Sequence, residues 1–563
     1  MPWKSRWNID IPTLSLPSYL FTSPSAQLPE KPILIDAERP EHHLTHHSYR
    51  EWSKRLACGL LRNAGFEAGD RLLLYSGNTV FFPVVLQGTV MAGGIFTGAN
   101  PSYVARELAY QLEDSGAKIL ICGEGSLDTA LEAADSIHLP RERVFVMGDG
   151  FEVFEDRAKS VRGIRHWTSL LASEEEGAKF EWEQLPTREQ MDRTAVLNYS
   201  SGTTGVPKGV EITHLNYVSN CMQTEHTAQL SPDYASFLQR ARGLSFLPMY
   251  HAYGQTHHGV SMVLKGIPVY LMRKFDFVKM LEYIQRYRIT SLALVPPIAV
   301  ALTKRPEVKN YDLSCVESAG CGAAPLSGET VREFNKMFNN RFQLKQGWGM
   351  TEITCSAFGW DPNRDSEASR VGELNANIEA VLVDPDDPAV EITTPDARGE
   401  LWVRGPNVMK GYWRKPEATR ETLTEEGWLK TGDIAIRNTE GLLAIVDRRK
   451  ELIKVKGNQV APAELEGVLL DHPGVVDAAV VGVVISGEES PRAYVVLREG
   501  HSVSPQDIAN WMSKRVARHK RLTGGVVCVD NIPKNPSGKI LRKFLRDRAK
   551  EEVGDKEPKD SRL

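Results

Sequence analysis

The sequence predicts an α/β protein: a large N-terminal domain of two α/β layered subdomains plus a β-rich subdomain, followed by a small mobile C-terminal α+β domain. Three observations carry this. Short apolar runs alternate with helical periodicity over residues 49–348, the pattern of parallel α/β layers. From Gly372 the texture changes to short strands separated by turns. Past the charged run Arg448-Arg-Lys-Glu, the chain shows a strand–helix alternation of its own, as an independent core joined by one hinge does. The expected division is 1–449, 450–550 and a tail, 551–563.

Each element has a local reason. Residues 1–50 are Pro-rich and read as surface-wrapped strands. Trp52, Leu56, Leu60 and Leu61 share one side of a helix over 49–61. Arg71-Leu-Leu-Leu-Tyr is a buried strand, 79–92 the helix behind it, 107–115 another helix, and Ala117-Lys-Ile-Leu-Ile-Cys the next strand. Residues 150–190, with Glu174-Glu-Glu, read as a solvated connection. Thr213 caps a helix reaching Gln223, and helices follow over 277–287 and 326–338. Ser291-Leu-Ala-Leu-Val and 342–348 are strands, and 378–383, 399–404 and 441–446 are strands of the β-rich part. The C-terminal unit reads as helices 462–470 and 505–518 and strands 475–483, 492–497 and 525–529.

Composition excludes some classes. Hydrophobic residues at 41% and charged residues at 25% are ordinary globular values. A net charge of −4 offers no electrostatic case for nucleic acid. Seven dispersed cysteines without C-x-x-C argue against a disulfide framework. No apolar run is long enough to span a bilayer, and the N-terminus has no apolar h-region. His42, His43, His46 and His47 lack cysteine or carboxylate companions and read as structural rather than metal-binding. The terminal Ser561-Arg562-Leu563 differs from the peroxisomal Ser-Lys-Leu address by one basic residue, so delivery by the peroxisomal import receptor is expected, and a cytoplasmic location if the address is not read.

The chemistry begins at Tyr199-Ser-Ser-Gly-Thr-Thr-Gly-Val-Pro-Lys-Gly-Val, a loop between two strands. Gly202, Gly205 and Gly209 let the backbone turn and present its N–H groups. Ser200, Ser201, Thr203 and Thr204 add hydroxyls and Lys208 adds a charge, a combination suited to a polyphosphate. The spacing is not that of the G-x-x-x-x-G-K-[ST] loop. Further polar islands sit near strand ends, where α/β sheets place ligands. Thr351 and Glu352 offer a hydroxyl and a carboxylate, and one carboxylate plus phosphate oxygens is how Mg²⁺ is usually held. Asp433 follows a tight turn and suits ribose hydroxyls, and Lys539 sits on a Gly/Pro loop.

Taken with Gly347-Trp-Gly-Met-Thr-Glu, Gly399-Glu-Leu-Trp-Val-Arg-Gly, Gly427-Trp-Leu-Lys-Thr-Gly-Asp, Val446-Asp-Arg-Arg-Lys-Glu-Leu-Ile-Lys-Val-Lys-Gly and Pro536-Ser-Gly-Lys-Ile-Leu-Arg, the chain resembles the acyl-adenylate-forming superfamily of acyl-CoA synthetases, 4-coumarate–CoA ligases and firefly luciferase. The resemblance runs from about Asn100 to Lys539. It implies that Ser200 to Lys208 close over the β- and γ-phosphates of ATP. Gly322, Ala323, Ala324 and Pro325 would face adenine, with Trp348 and Gly349 nearby. Thr351 would contact the α-phosphate, Glu352 would hold Mg²⁺, and Asp433 with Arg448 would bind the ribose. It further implies that Lys539 serves adenylation, and that Lys454, Lys456, Gly457 and Gln459 serve thioester formation with coenzyme A after rotation about Lys450. His251 would gate the acyl pocket.

By position relative to these motifs, Tyr253, Gly320, Gly347, Ile353 and Ser356 should line that pocket. None is charged, and no carboxylate stands by for an amino acid's ammonium group, so a hydrophobic aryl or aliphatic acid is expected. Two positions depart from the family pattern. Arg449, expected to face solvent, replaces the usual leucine, and Gly487-Glu-Glu-Ser-Pro-Arg-Ala carries one extra residue on the coenzyme A side. A luciferase-like monooxygenase and an enzyme loading a carrier protein are the alternatives on this scaffold. A catalytically dead nucleotide sensor is disfavoured by the joint presence of Thr351, Glu352, Asp433, Arg448 and Lys539.

Overall fold

Residues 2–156, 158–200, 206–455, 458–485, 488–501, 503–535 and 538–553 are described by the structure, a computed structural model. Ser201 to Gly205, Lys456, Gly457 and the terminal Ser561-Arg562-Leu563 lie outside the described residues. The expected α/β layers are two seven-stranded sheets. In the first, Leu344–Gln346, Ser318–Cys321, Ser291–Leu294, Gly243–Ser245, Val269–Leu271 and Pro32–Asp36 run parallel in that order, and His43–Thr45 closes the edge antiparallel. The second is ordered Gly411–Tyr412, Lys208–Thr213, Thr194–Ser200, Ile95–Gly98, Arg71–Tyr75, Ile119–Gly123, Val144–Met147; it is parallel from Thr194–Ser200 onward.

Helix packing between the layers follows from sequence. All ten residues of Phe82–Met91 are buried, as an all-round apolar helix must be. It lies against His46–Asn63 so closely that a Cβ on Gly88 would stand 2.8 Å from the Leu56 side chain. The β-rich part is a five-stranded antiparallel sheet ordered Trp3–Lys4, Glu379–Val383, Gly399–Arg404, Leu429–Arg437, Leu443–Arg448. Beyond it the C-terminal unit comprises the hairpin Ile453–Val455 and Asn458–Val460, the sheet Val475–Ile485, Glu488–Leu497 and Val526–Cys528, and helices Pro462–Leu470, Pro505–Ser513 and Arg542–Val553.

Four expectations are corrected. Pro32–Asp36 is not a surface wrapping; it is a buried strand paired with Val269–Leu271. Residues 150–190 are not simply solvated, because Trp167 and Trp182 anchor the stretch in the main core while the glutamates start a short helix capped by Ser173. The helix expected over 79–92 starts only at Phe82, after the Thr79 hydroxyl has accepted the Phe81 N–H. The strand expected over 441–446 is Leu443–Arg448, which carries Arg448 into the ladder opposite Asp433.

The helix after the strand Lys208–Thr213, His214–Gln229, is capped by Thr213 in a reciprocal box with Asn216. Its first residue, His214, accepts the Leu16 N–H on Nδ1 at 2.9 Å, and burial lowers its pKa to about 4. The folded value lies below the unfolded 6.5, so the stabilisation is complete above pH 6.5 and is lost as pH falls toward 4. Over that window it amounts to ~3 kcal/mol. The melting temperature should fall between pH 6.5 and 4, and His214→Gln, which keeps an acceptor that does not titrate, should reduce the slope measured by calorimetry.

Candidate functional site

The strand Thr194–Ser200 ends at Ser200, which pairs with Lys208 at the start of the returning strand. The two ends of the glycine-rich segment are therefore held side by side. Ser200 Oγ donates to Glu352 Oε1 at 2.9 Å, and the Tyr412 hydroxyl donates to the same oxygen at 3.0 Å. Among the described residues nothing occupies Glu352 Oε2, so this buried carboxylate keeps one oxygen for a cation. That donor set fits Mg²⁺, which takes one or two carboxylates and completes its shell with phosphate oxygens and water. Lys208 Nζ rests 4.8 Å over the ring of the same Tyr412.

Glu352 is placed by a tight backbone approach. A Cβ on Gly349 would lie 1.7 Å from the Cys355 carbonyl oxygen, so only glycine lets the chain fold back through the turn Thr351–Ile353. Across the cleft, Asp433 and Arg448 are cross-strand partners. Arg448 Nε lies 3.1 Å from Asp433 Oδ1, and Trp348 Nε1 donates to Asp433 Oδ2 at 2.8 Å. Asp433 Oδ1 is buried and, despite the ion pair, accepts no hydrogen bond among the described residues, which leaves it for a ligand hydroxyl. Ala323 adopts φ +73°, a conformation costly for alanine and typical of functional loops.

Lys539 enters from the C-terminal unit. Gly538 has φ +82° and passes so close to Pro297 that a Cβ would stand 3.2 Å from it. Burial first, and the Arg448 guanidinium second, lower the Lys539 pKa to about 8 against the opposing pull of Asp433, Glu352 and Glu451. His251 is held to about 4, first by burial and then by Lys539. The Lys539 ammonium is thus within electrostatic reach of the Asp433–Arg448–Glu352 group and of His251. A cleft of about 1290 Å³ joins Ala323, Ala324, Pro325, Gly347, Trp348, Gly349, Asp433, Arg448 and Lys539.

The other expected residues divide. Tyr253 lies over Gly322, 3.6 Å from where a Cβ would sit. Gly320, Gly347 and Ser356 keep accessible surface on the same side, whereas Ile353 has none and packs into the main core, so it cannot line a pocket. Lys454 is exposed outside the cleft, opposite Gln459 in the hairpin, and the Gln459 carbonyl accepts from Arg398. Arg449 does not simply face solvent: its Nη1 reaches buried Glu400 at 3.1 Å. Sequence reading missed Tyr412, whose hydroxyl holds Glu352.

A family model described as AMP-binding enzyme matches residues 21–413, and one described as AMP-binding enzyme C-terminal domain matches residues 464–539. The chain is 35% identical to a phenylacetyl-CoA ligase of Aspergillus niger, over 98% of this chain and 100% of that protein. It is 38% identical to the peroxisomal OPC-8:0-CoA ligase 1 of Arabidopsis thaliana, over 86% of this chain and 85% of that protein. ATP-bound MatB from Rhodopseudomonas palustris matches the fold with a TM-score of 0.81 at 26% identity, covering 96% of this chain and 99% of that one.

The Lys539 environment predicts a pH dependence. Because its pKa is lowered to about 8, its charge is complete below that value and lost above it. Exchange of labelled pyrophosphate into ATP should fall on the alkaline side near pH 8 in the wild type. In Lys539→Arg, whose charge does not titrate there, that limb should move well upward; an unchanged limb would refute the assignment.

Proposed function

This chain belongs to the AMP-binding enzyme family, and on that premise we propose that it is an AMP-forming acid–coenzyme A ligase acting on a hydrophobic aryl or aliphatic acid. The observation that carries the reading is the meeting of Lys539 with Asp433 and Arg448 in one cleft, with the Glu352 carboxylate within electrostatic reach of the lysine. In the first step an acid oxygen attacks the α-phosphorus of ATP and pyrophosphate leaves. Asp433 Oδ1 accepts from the ribose, Trp348 and the 322–325 turn flank adenine, and the segment Ser200 to Lys208 holds the departing phosphates. Mg²⁺, held by Glu352, would neutralise phosphate charge. The Lys539 ammonium stands where carboxylate and α-phosphate must approach each other, and offsets their like charge. Losing one such group typically costs about 10²–10³ in rate.

In the second step the coenzyme A thiol attacks the acyl carbonyl and AMP leaves. Domains 1–449 and 450–550, turning about Lys450, would replace Lys539 by the face bearing Lys454, Lys456, Gly457 and Gln459. The exposed position of Lys454 in the present arrangement supports this reading. Thioester formation with free coenzyme A separates it from carrier-protein loading, and its independence of O₂ separates it from a luciferase-like reaction. The name of the Arabidopsis relative supports a peroxisomal setting.

The test measures both half-reactions across a panel of acids, as pyrophosphate exchange and as coenzyme A-dependent AMP release. Lys539→Ala should cut exchange by about 10²–10³, while Lys454→Ala spares exchange and slows thioester formation. Equal loss of both half-reactions in both variants would sink the exchange of lysines.

A further inference from the structure

The two ends of the phosphate segment, Ser200 and Lys208, are tied to one carboxylate, Asp114. It lies in the last turn of the helix Ala105–Ser115, and only 10% of its side chain is exposed. A helix C-terminus carries partial negative charge, so an anion there weakens the helix that bears it. Local helix stability does not account for this carboxylate; its partners do. The Tyr199 hydroxyl donates to Asp114 Oδ2 at 2.7 Å, and the Lys415 ammonium pairs with Oδ1. Tyr199 immediately precedes Ser200 at the end of the strand Thr194–Ser200. One end of the segment is thereby anchored.

The other end is held through the same ammonium. Tyr110 lies one turn before Asp114 on the same face of the helix. Its hydroxyl donates to the Pro207 carbonyl oxygen at 2.9 Å, while its oxygen lies against Lys415. A phenol has one proton to give, and with Lys415 as donor that proton is left for Pro207, the residue before Lys208. The stretch 412–415 adds to the hold. The Trp413 N–H donates to the Gly209 carbonyl oxygen at 2.8 Å, and the Tyr412 ring lies under Lys208 Nζ while its hydroxyl meets Glu352. The Tyr199 ring in turn packs on Gly209, 3.2 Å from where a Cβ would stand. Ser200 and Lys208, cross-strand partners, are thus gripped from one side by a single cluster.

We infer that Asp114 is a positioning residue for the phosphates of ATP: acting through Tyr199 on one side and through Lys415 and Tyr110 on the other, it fixes Ser200 and Lys208 relative to each other and to Glu352. This rests on the acid–coenzyme A ligase reading above, in which Ser200 and Lys208 hold the departing phosphates. Asp114 itself touches no substrate atom in that reading. Misplacing a phosphate-binding group by about 1 Å is enough to slow a reaction heavily. The effect is confined to ligands that carry β- and γ-phosphates. AMP and the acyl-adenylate have neither, and rely on Asp433 and the 322–325 turn instead.

Titration calorimetry tests this by comparing ATP in the presence of Mg²⁺ with AMP, in the wild type and in Tyr110→Phe, Tyr199→Phe and Asp114→Asn. Each phenylalanine variant removes one hydroxyl and keeps the rest of the cluster. Tyr110 and Tyr199 are half-buried, so these two carry the test even where Asp114→Asn does not fold. The Kd for ATP should rise by about 3- to 10-fold in each phenylalanine variant, and that for AMP should stay within about twofold of wild type. In turnover, KM for ATP in pyrophosphate exchange should rise, while thioester formation from preformed acyl-adenylate and coenzyme A keeps its wild-type rate. Unchanged ATP affinity in both phenylalanine variants overturns the inference. Equal weakening of ATP and AMP overturns it too, as does equal loss in the two half-reactions, which is what a general loosening of the fold would give. A wild type that binds ATP but exchanges pyrophosphate with no acid of the panel overturns the ligase reading, and the ratio of ATP to AMP affinity then still decides the role of Asp114.

Discussion

The site depends on the pairing of Asp433 with Arg448 across two antiparallel strands. A buried carboxylate is tolerated when charge and hydrogen bonds surround it, and here the guanidinium and the Trp348 indole supply them. Into the same space the C-terminal unit brings a second cation, Lys539, whose pKa is lowered by burial and by Arg448. Two neighbouring cations with little water between them repel each other, so an anion placed between them is favoured before any specific contact is counted. Asp433, Glu352 and Glu451 keep the lysine from losing its proton altogether. The cleft is thus arranged in advance for a phosphate and a carboxylate, which is what stabilises charge developing between them.

Much of this was legible in the sequence because it is local. The strand Arg71–Tyr75, the helix Phe277–Tyr287 and the strand Gly399–Arg404 lie where periodicity and turn residues put them, since each buries one face or is buried whole. What escaped was set by distant partners. Trp167 and Trp182 pull a polar stretch into the core, and no window of sequence shows which core will receive them. Ile353 carries a pocket-like position in the motif, but the turn at Thr351–Ile353 sends it inward, where it packs into the main core. Arg449 is polar and adjacent to the site, so solvent was the natural expectation; buried Glu400, on a strand some fifty residues earlier, decides otherwise. Tyr412 holds Glu352 from the edge strand of another sheet, and its role is visible only once the two are seen together.

The relation between Lys539 and Arg448 is fixed by one strand end. Successive residues of a strand point to opposite faces. On Leu443–Arg448, Arg448 turns to Asp433 in the cleft, and Asp447 turns to the C-terminal unit. Asp447 accepts the Ala463 N–H at 2.9 Å at the start of helix Pro462–Leu470. Burial raises its pKa to about 6, against the attraction of Arg542 beside it. Arg542 in turn grips both oxygens of Glu466, at 2.7 and 2.8 Å, and Glu466 accepts the Val480 N–H. Lys539 stands three residues before Arg542, so its ammonium is positioned by an ion cluster that begins at the residue next to Arg448. Shielded from water, such a cluster depends on every member having its partner. Any movement that carried Lys539 out of the cleft would have to open the Asp447 contacts first, which makes the junction after Arg448 the point where chemistry and domain position are coupled.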